Sequence, residues 1–223
     1  MSYLTFPVVI LKEGFADIKN SVNNAMFYCL YDYCQRNSGG RESLIKDAES
    51  FYGITYGNKK RAYDSGKMLF DSIPTGSPKT SISKDMLFDF YKNDKSKFEV
   101  VSFLAFAALR SILQRQSYIK VTNDYLLGRM AGNSKKGEPL SDWINSYKSR
   151  YQLDKIKLEL QANWGLKLYA NHTRGFYVSF SLPLEQLVMK AELKRKRYKE
   201  KQLAEAKNQA RLKALESIYG TAQ

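Results

Sequence analysis

Apolar residues recur along this chain at helical spacing in some stretches and in short alternating or continuous runs in others, and the change of period divides it into elements. Ile18, Val22, Ala25, Met26, Cys29, Leu30 and Tyr33 fall three or four residues apart, which predicts a helix over Asp17–Gln35. Phe27, Tyr28 and Tyr31 widen its apolar surface beyond one stripe, so this helix belongs at the centre of a core. Asn37-Ser38-Gly39-Gly40 stops it. Arg41–Tyr52 reads as a second helix with Leu44, Ile45, Ala48 and Phe51 inward, and Gly53 stands where a C-terminal cap glycine belongs. After the turn Thr55–Asn58, Lys59–Ser72 reads as a third helix with Ala62, Tyr63, Gly66, Leu69 and Phe70 inward. Residues 3–11 alternate weakly and contain Pro7, which suits an edge strand or an extended arm. Ser81–Ser83 predicts a short strand and Lys84–Tyr91 a short amphipathic helix.

The polar run Asn93-Asp94-Lys95-Ser96-Lys97 is the best place for a boundary. Phe98–Leu113 after it is almost wholly apolar, too short for a membrane span, and predicts a buried helix. A strand-like run, Tyr118–Val121, leads into a short helix that Thr122 can cap and Gly132 stops. The connection Asn133–Pro139, with Lys135 and Lys136, is long for a helix-turn-helix, and Leu140–Lys148 can add a helical turn or two. Ser149–Asn163 is the next helix. Two β-rich runs follow, Leu166–Ala170 and Gly175–Ser181, joined by Asn171-His172-Thr173-Arg174. Pro183–Ile218 predicts one long helix, with Pro183 in its first turn. The expected fold is mainly α with small β-hairpins (α+β), with a helical unit over 1–93, a second unit over 94–182 and a basic C-terminal helix over 183–223. The two units share the order long apolar helix, short helix, turn, helix, strand, although no residue-level repeat is visible.

Charge sharpens this picture. The 223-residue chain has a formal charge of +14, unevenly spread. Residues 1–100 carry 14 Lys/Arg against 12 Asp/Glu, whereas residues 101–223 carry 22 against 10. Residues 190–213 alone hold ten Lys/Arg and three Glu. Such a basic half suits a polyanion, nucleic acid first and an acidic membrane surface second, although charge runs also serve simply as solvated faces. Cys29 and Cys34 point in different directions on one helix, which predicts free thiols and a reduced, cytoplasmic protein. These two cysteines with the single histidine, His172, do not make a zinc site, so no metal or other cofactor is expected. The apolar N-terminus lacks a basic leader and a cleavage site, and no signal peptide is expected.

The residues with candidate chemistry lie in the second unit. With Ile156 at the centre of the buried face of Ser149–Asn163, Leu153 and Leu160 flank it, and Arg150, Asp154, Lys157 and Gln161 fall on the outward side with Tyr147 and Tyr151 at its edge. Arg and Gln suit base edges or phosphates, and Lys suits phosphates. Asp154 is out of place against phosphate and can instead orient Arg150 or Lys157. Lys167, Asn171, His172, Thr173 and Arg174 are expected at or near the hairpin tip, where a basic turn can meet a minor groove or a backbone. Thr122 and Asn123 open a helix whose N–H groups can meet a phosphate. An ordinary capped, amphipathic helix would show these same residues. No phosphate-binding loop, dinucleotide glycine pattern or paired-carboxylate arrangement stands out, and a non-enzymatic protein is expected.

The run Ser149-Arg150-Tyr151, Lys155-Ile156, Leu158-Glu159-Leu160 and Trp164-Gly165-Leu166, followed by Arg174-Gly175-Phe176-Tyr177-Val178-Ser179, resembles the third helix and wing of winged helix-turn-helix DNA-binding proteins. The resemblance covers about a quarter of the chain. The whole layout is similar to bacterial mobile-element proteins and, as two units in tandem, to plasmid replication initiators. It implies double-stranded DNA as partner, together with a replication or transcription protein, and a role in replication initiation or transcription control on a plasmid, phage or integrated element. Asp154 and the long connection depart from the family pattern. A protein- or RNA-interaction module using the basic C-terminal helix is the alternative.

Overall fold

The computed structural model describes residues 2–135, 137–170 and 174–219, with side chains to residue 214. Lys136, Asn171, His172 and Thr173 lie outside the described residues. The fold is mainly helical with two small antiparallel sheets, an α+β arrangement.

Strand β1 (Tyr3–Pro7) pairs antiparallel with β2 (Lys79–Ser83), with Leu4 opposite Ile82 and Phe6 opposite Thr80. These four side chains are buried, while Thr5 and Ser81 face outward with their hydroxyls 3.1 Å apart. The alternation is the period-2 pattern of a sheet with one covered face. Val8–Leu11 then tightens into a single 3-10 turn. Between the strands run α1 (Ile18–Arg36), α2 (Arg41–Tyr52) and α3 (Lys59–Ser72). The Asp17 carboxylate accepts the Asn20 N–H at 2.9 Å and fixes the start of α1. Gly53 ends α2 in the left-handed region, φ 61°. Helix α1 buries residues around most of its circumference, as its all-round apolar pattern requires.

One inward assignment is corrected. Phe51 is 64% exposed and Tyr52 takes its place in the core at 9%. The directions of Leu44, Ile45 and Ala48 average to a line from which Tyr52 departs by roughly 30° and Phe51 by roughly 70° at 100° per residue. Phe51 instead lies across the rings of Tyr33 and Tyr52, with centroids 5.4 and 5.0 Å away.

Helix α4 (Lys84–Lys92) follows β2, and α5 (Lys97–Leu113) follows a polar bend. A reciprocal capping box starts α5: the Ser96 hydroxyl accepts the Glu99 N–H, and the Glu99 carboxylate accepts the Ser96 N–H. Its apolar run serves two cores. Val100, Phe103, Leu104 and Ala107 join the core of α1–α4, and Val101, Ala105, Ala108, Leu109, Ile112 and Leu113 join a second core.

The second core is closed by β3 (Ile119–Val121), α6 (Asn123–Met130), α7 (Asp142–Asn145), α8 (Arg150–Asn163), β4 (Lys167–Tyr169) and β5 (Phe176–Ser179). The sheet order is β3-β5-β4, antiparallel throughout. From α5 the order is therefore helix, strand, helix, one-turn helix, helix, strand, strand. In the first half the strand β1 precedes α1, and Asn37–Gly40, between α1 and α2, forms no strand. The expected order of long helix, short helix, turn, helix, strand is present in both halves, ending on β2 and on β4, while β3 between α5 and α6 has no counterpart in the first half.

Helix α9 (Leu184–Tyr219) lays its first turns on the sheet, burying Leu187 and Ala191 against Tyr177 with Tyr118 and Tyr169 beside them. From residue 196 to residue 214 every side chain is exposed. No helix among the described residues is long and apolar enough to cross a membrane.

Candidate nucleic-acid interface

The short run Val121-Thr122-Asn123 sets one edge of the candidate surface. Val121 ends β3 opposite Phe176, and the Thr122 hydroxyl accepts the Tyr125 N–H at 3.2 Å, so α6 starts where the sequence places it. Asn123 has its Oδ1 buried without a hydrogen-bond partner. The same antiparallel register continued outward sets Gly175 opposite Thr122. Gly175 has φ 92°, and a Cβ there would lie 2.5 Å from the Val121 carbonyl oxygen. Only glycine admits that approach. The fold thus brings Arg174, exposed and next to Gly175, beside the N-terminus of α6.

Helix α8 is placed by Leu153, Ile156 and Leu160, all essentially fully buried, and by the Ser149 hydroxyl, which accepts the Gln152 N–H. The outward face differs from the sequence expectation. Its centre is Tyr151 and Leu158, 74% and 65% exposed, with Lys155, Gln161 and Ala162 beside them. The buried direction lies between Ile156 and the Leu153–Leu160 pair, a rotation of roughly 30° from Ile156 alone. Lys157, expected outward, is therefore turned inward. Its side chain is only 13% exposed, with Nζ 4.5 Å over the Phe176 ring and 3.4 Å from Asp154. Arg150 is 94% exposed, with Nε 3.5 Å from the other Asp154 oxygen. Asp154 thus touches both cations, as its position suggested. Lys155 stacks 4.8 Å over Phe98 at the start of α5.

Lys167 is corrected as well. It pairs with Ser179, at the end of the sheet away from the turn, so it does not stand at the tip. His172 and Thr173 lie outside the described residues. Thr122, Asn123 and Arg174 are brought to one end of the sheet with Lys157, through Phe176. Arg150 and Gln161 are exposed toward the two ends of α8, and Lys167 is at the far end of the sheet. The residues that sequence spacing undervalued are Tyr151, Lys155 and Leu158. Averaging the directions of all three buried leucine and isoleucine positions would have found them.

The long connection between α6 and α8 is braced. Asn133 Nδ2 donates to the Glu138 and Pro139 carbonyls at 3.2 and 3.0 Å, and the Lys135 N–H donates to the Glu138 carboxylate at 2.8 Å. Trp143 of α7 stacks on Phe15 at 4.7 Å and 5°, with Tyr147 edge-on to both. Arg129, which the spacing did not single out, is 5% exposed. It donates from Nη2 to the Tyr125 hydroxyl at 3.0 Å, while Nε and Nη1 have no partner.

On the opposite face of the sheet the Tyr169 hydroxyl donates to Glu192 at 2.6 Å, which ties β4 to α9. Burial raises the Tyr177 phenol above its ordinary value. Cys29 and Cys34 are both free and buried, and burial pushes the Cys29 thiol far up, so it is no nucleophile at neutral pH. No cluster of His, Cys, Asp or Glu among the described residues is placed to hold a metal ion. Comparison of the chain with protein-family models, with curated proteins and with solved structures found no match.

Proposed function

We propose that residues 97–182 form a winged helix and that the chain is a non-enzymatic, double-stranded DNA-binding protein acting in replication initiation or transcription control. The observation that carries this reading is the order helix, strand, helix, helix, strand, strand with the sheet ordered β3-β5-β4. In that arrangement the helix before the hairpin is the one that enters a major groove, while the preceding helix crosses the backbone. Here α8 exposes Arg150, Tyr151, Lys155, Leu158 and Gln161, which combine backbone, base-edge and thymine-methyl chemistry. The N-terminus of α6 and Arg174 flank it at one end of the sheet and suit phosphates. The resemblance to proteins of mobile elements gives the biological setting of the proposal.

Binding to random and own-locus duplexes across a salt series tests the proposal. Arg150, Lys155 and Arg174 together predict a slope of log affinity against log salt of about −2.7 or steeper, at 0.9 per phosphate neutralised. Arg150→Gln with Lys155→Gln should flatten that slope by about 1.8. A flat salt response of the unaltered chain, or no binding at low salt, sinks the reading. A second reading, a protein- or RNA-binding role for α9, is favoured by the exposed Tyr198, Leu203 and Leu212 along it. It predicts that shortening α9 removes partner binding and leaves duplex binding in place.

A further inference from the structure

A second cationic surface lies away from α8. The loop that enters β2 and the C-terminal end of α5 border an open groove of about 850 Å3. Lys79, Thr80, Ser81, Arg110, Gln114 and Arg115 supply its chemistry, and no acidic or aromatic side chain is among the residues that line it. The charges are weakly compensated. Lys79 Nζ is 3.9 Å from Asp32, a carboxylate already held by Arg36. Arg110 rests over the Phe180 ring at 5.8 Å, and Arg115 is exposed at the end of the helix. One further observation marks the place. Gln114 holds φ 49°, the one positive φ of a non-glycine among the described residues, which turns the chain sharply at the groove wall.

Beyond the groove, which ends at Gln116, the chain runs on toward α9. Ser179 Oγ donates to the Ser117 carbonyl at 2.7 Å, joining the segment after Gln116 to the end of β5. Lys190 and Lys194 each lie 5.9 Å over the ring of Tyr118. Three groove cations are thus followed by two more at the root of a basic helix. Strand β3 separates this place from Thr122, so the groove and the α6 N-terminus occupy opposite ends of the three-stranded sheet.

Cations gathered in a concave surface without carboxylates raise the local potential and concentrate anions. Hydroxyl and amide donors beside them suit phosphate oxygens. Without aromatic rings the groove offers bases nothing to stack on, so it fits a backbone and not a base sequence. We propose that this groove, with the root of α9, binds the phosphodiester backbone of a polynucleotide at a position separate from α8.

The full chain carrying Lys79→Gln and Arg115→Gln tests this, with random-sequence duplex and single-stranded oligonucleotides titrated across salt. Removing two cations that neutralise phosphates should flatten the slope by about 1.8 on duplex or about 1.4 on single strands. On duplex this means that the affinity ratio between roughly 50 and 200 mM salt shrinks about twelvefold. The loss should be the same for every sequence. Arg115→Gln alone, expected to flatten the duplex slope by about 0.9, serves if the double variant melts earlier. A charge-matched Lys67→Gln, Lys97→Gln variant, on exposed helix positions elsewhere, should move the slope by less than half as much. An unchanged slope, or an equal effect of the two charge-matched variants, overturns the proposal. Thermal protection by inorganic phosphate with unaltered oligonucleotide binding overturns the assignment to a strand. If Arg150→Gln with Lys155→Gln leaves binding intact while the groove variant weakens it, the groove stands and the α8 reading fails; the reverse pattern removes the groove.

Discussion

Two glycines inside helices should respond to alanine with opposite signs, because one faces backbone and the other faces space. Gly66 sits in α3 where that helix meets α1. A Cβ at Gly66 would lie 2.2 Å from the Phe27 carbonyl oxygen and 2.9 Å from Tyr31 Cβ. A carbonyl on a helix does not swing aside as a long side chain does. Restoring an ordinary contact moves the two helices apart by about 1 Å, which a close-packed interior resists. The ring pairs between them, Tyr31–Tyr63 at 5.1 Å and Tyr31–Phe70 at 5.4 Å, would open as well. Overpacking of this severity costs about 3 kcal/mol, against about 1 kcal/mol gained from helix propensity. The net loss for Gly66→Ala is about 2 kcal/mol, or a melting temperature lower by about 4–8 °C for a chain of this size. At Gly128 in α6 the nearest atoms to a Cβ are 3.9 Å away, Asn133 Nδ2 and a Leu140 methyl. There the propensity term stands alone, and Gly128→Ala should raise the melting temperature by about 2–4 °C. Thermal unfolding followed by circular dichroism, with urea midpoints as a second measure, reads both. If Gly66→Ala melts with the unaltered chain, or if the two variants shift together, the close approach of α1 and α3 is not what holds Gly66 in place.

Asp154→Asn removes the carboxylate between Arg150 and Lys157. A unit charge roughly 6 Å from a phosphate in water is worth about 0.7 kcal/mol, so duplex affinity at low salt should rise about threefold if α8 faces DNA. The half-exposed ion pairs lost with it contribute only a few tenths of a kcal/mol, so the melting temperature should hold; unchanged or weaker binding speaks against α8 as the DNA-facing helix. Acid should unfold the chain through its paired carboxylates. The Lys95 ammonium and Asn93 amide hold Asp89 below its ordinary value; at Glu49 burial acts upward, but hydrogen bonds from Lys59 and the Tyr56 N–H outweigh it. Because the folded values are the lower ones, this stabilisation is complete above the unfolded values near pH 4 and is lost as pH falls through the folded values. Melting temperatures measured down an acid series should therefore fall below about pH 4, less steeply for Asp89→Asn, and a rise on acidification contradicts the assignment. A chain ending at Arg195 keeps Leu187, Ala191 and the Tyr169–Glu192 contact, so it should melt within about 2 °C of the full chain, and its duplex binding should keep the slope set by Arg150, Lys155 and Arg174 while losing what the exposed cations of α9 add. An early melt would show that the exposed part of α9 is held by something.

Helix limits were the most legible feature of the sequence. Arg41–Tyr52 and Lys59–Ser72 form as their spacing predicts, because cap signals and apolar stripes agree there. Helix faces were less legible. In α8 the direction of the stripe was taken from Ile156 alone, although Leu153 and Leu160 define it as well, and that rotation of roughly 30° placed Lys157 where Tyr151 and Leu158 stand. In α2 the stripe took in Phe51, although Tyr52 lies nearer the common direction of Leu44, Ile45 and Ala48. The pairing of β1 with β2 joins residues about 76 positions apart, and no local pattern encodes such a partner. The groove around Arg110 and Arg115 was hidden for the same reason, since the rest of its wall comes mostly from the loop before β2 and from β2 itself.

A connection that is long for a helix-turn-helix would leave α8 loose if it lacked partners, and the packing argues the reverse. A connection is loose when its residues lack partners, and this one borrows partners from the N-terminal segment. Gly132, at φ 79°, lies so close to Lys12 and Val9 that a Cβ would meet Lys12 Cβ at 3.0 Å. Phe15 inserts between the two cores and stacks on Trp143, so the chain before α1 forms one wall of the α6–α8 connection. Helix α5 then joins the same two cores along its whole length. Displacing α8 would therefore separate an aromatic stack from residues 13–16 and open the second core, whereas a free loop would let it move at little cost. The extra residues between α6 and α8 tie that helix to the first half of the chain.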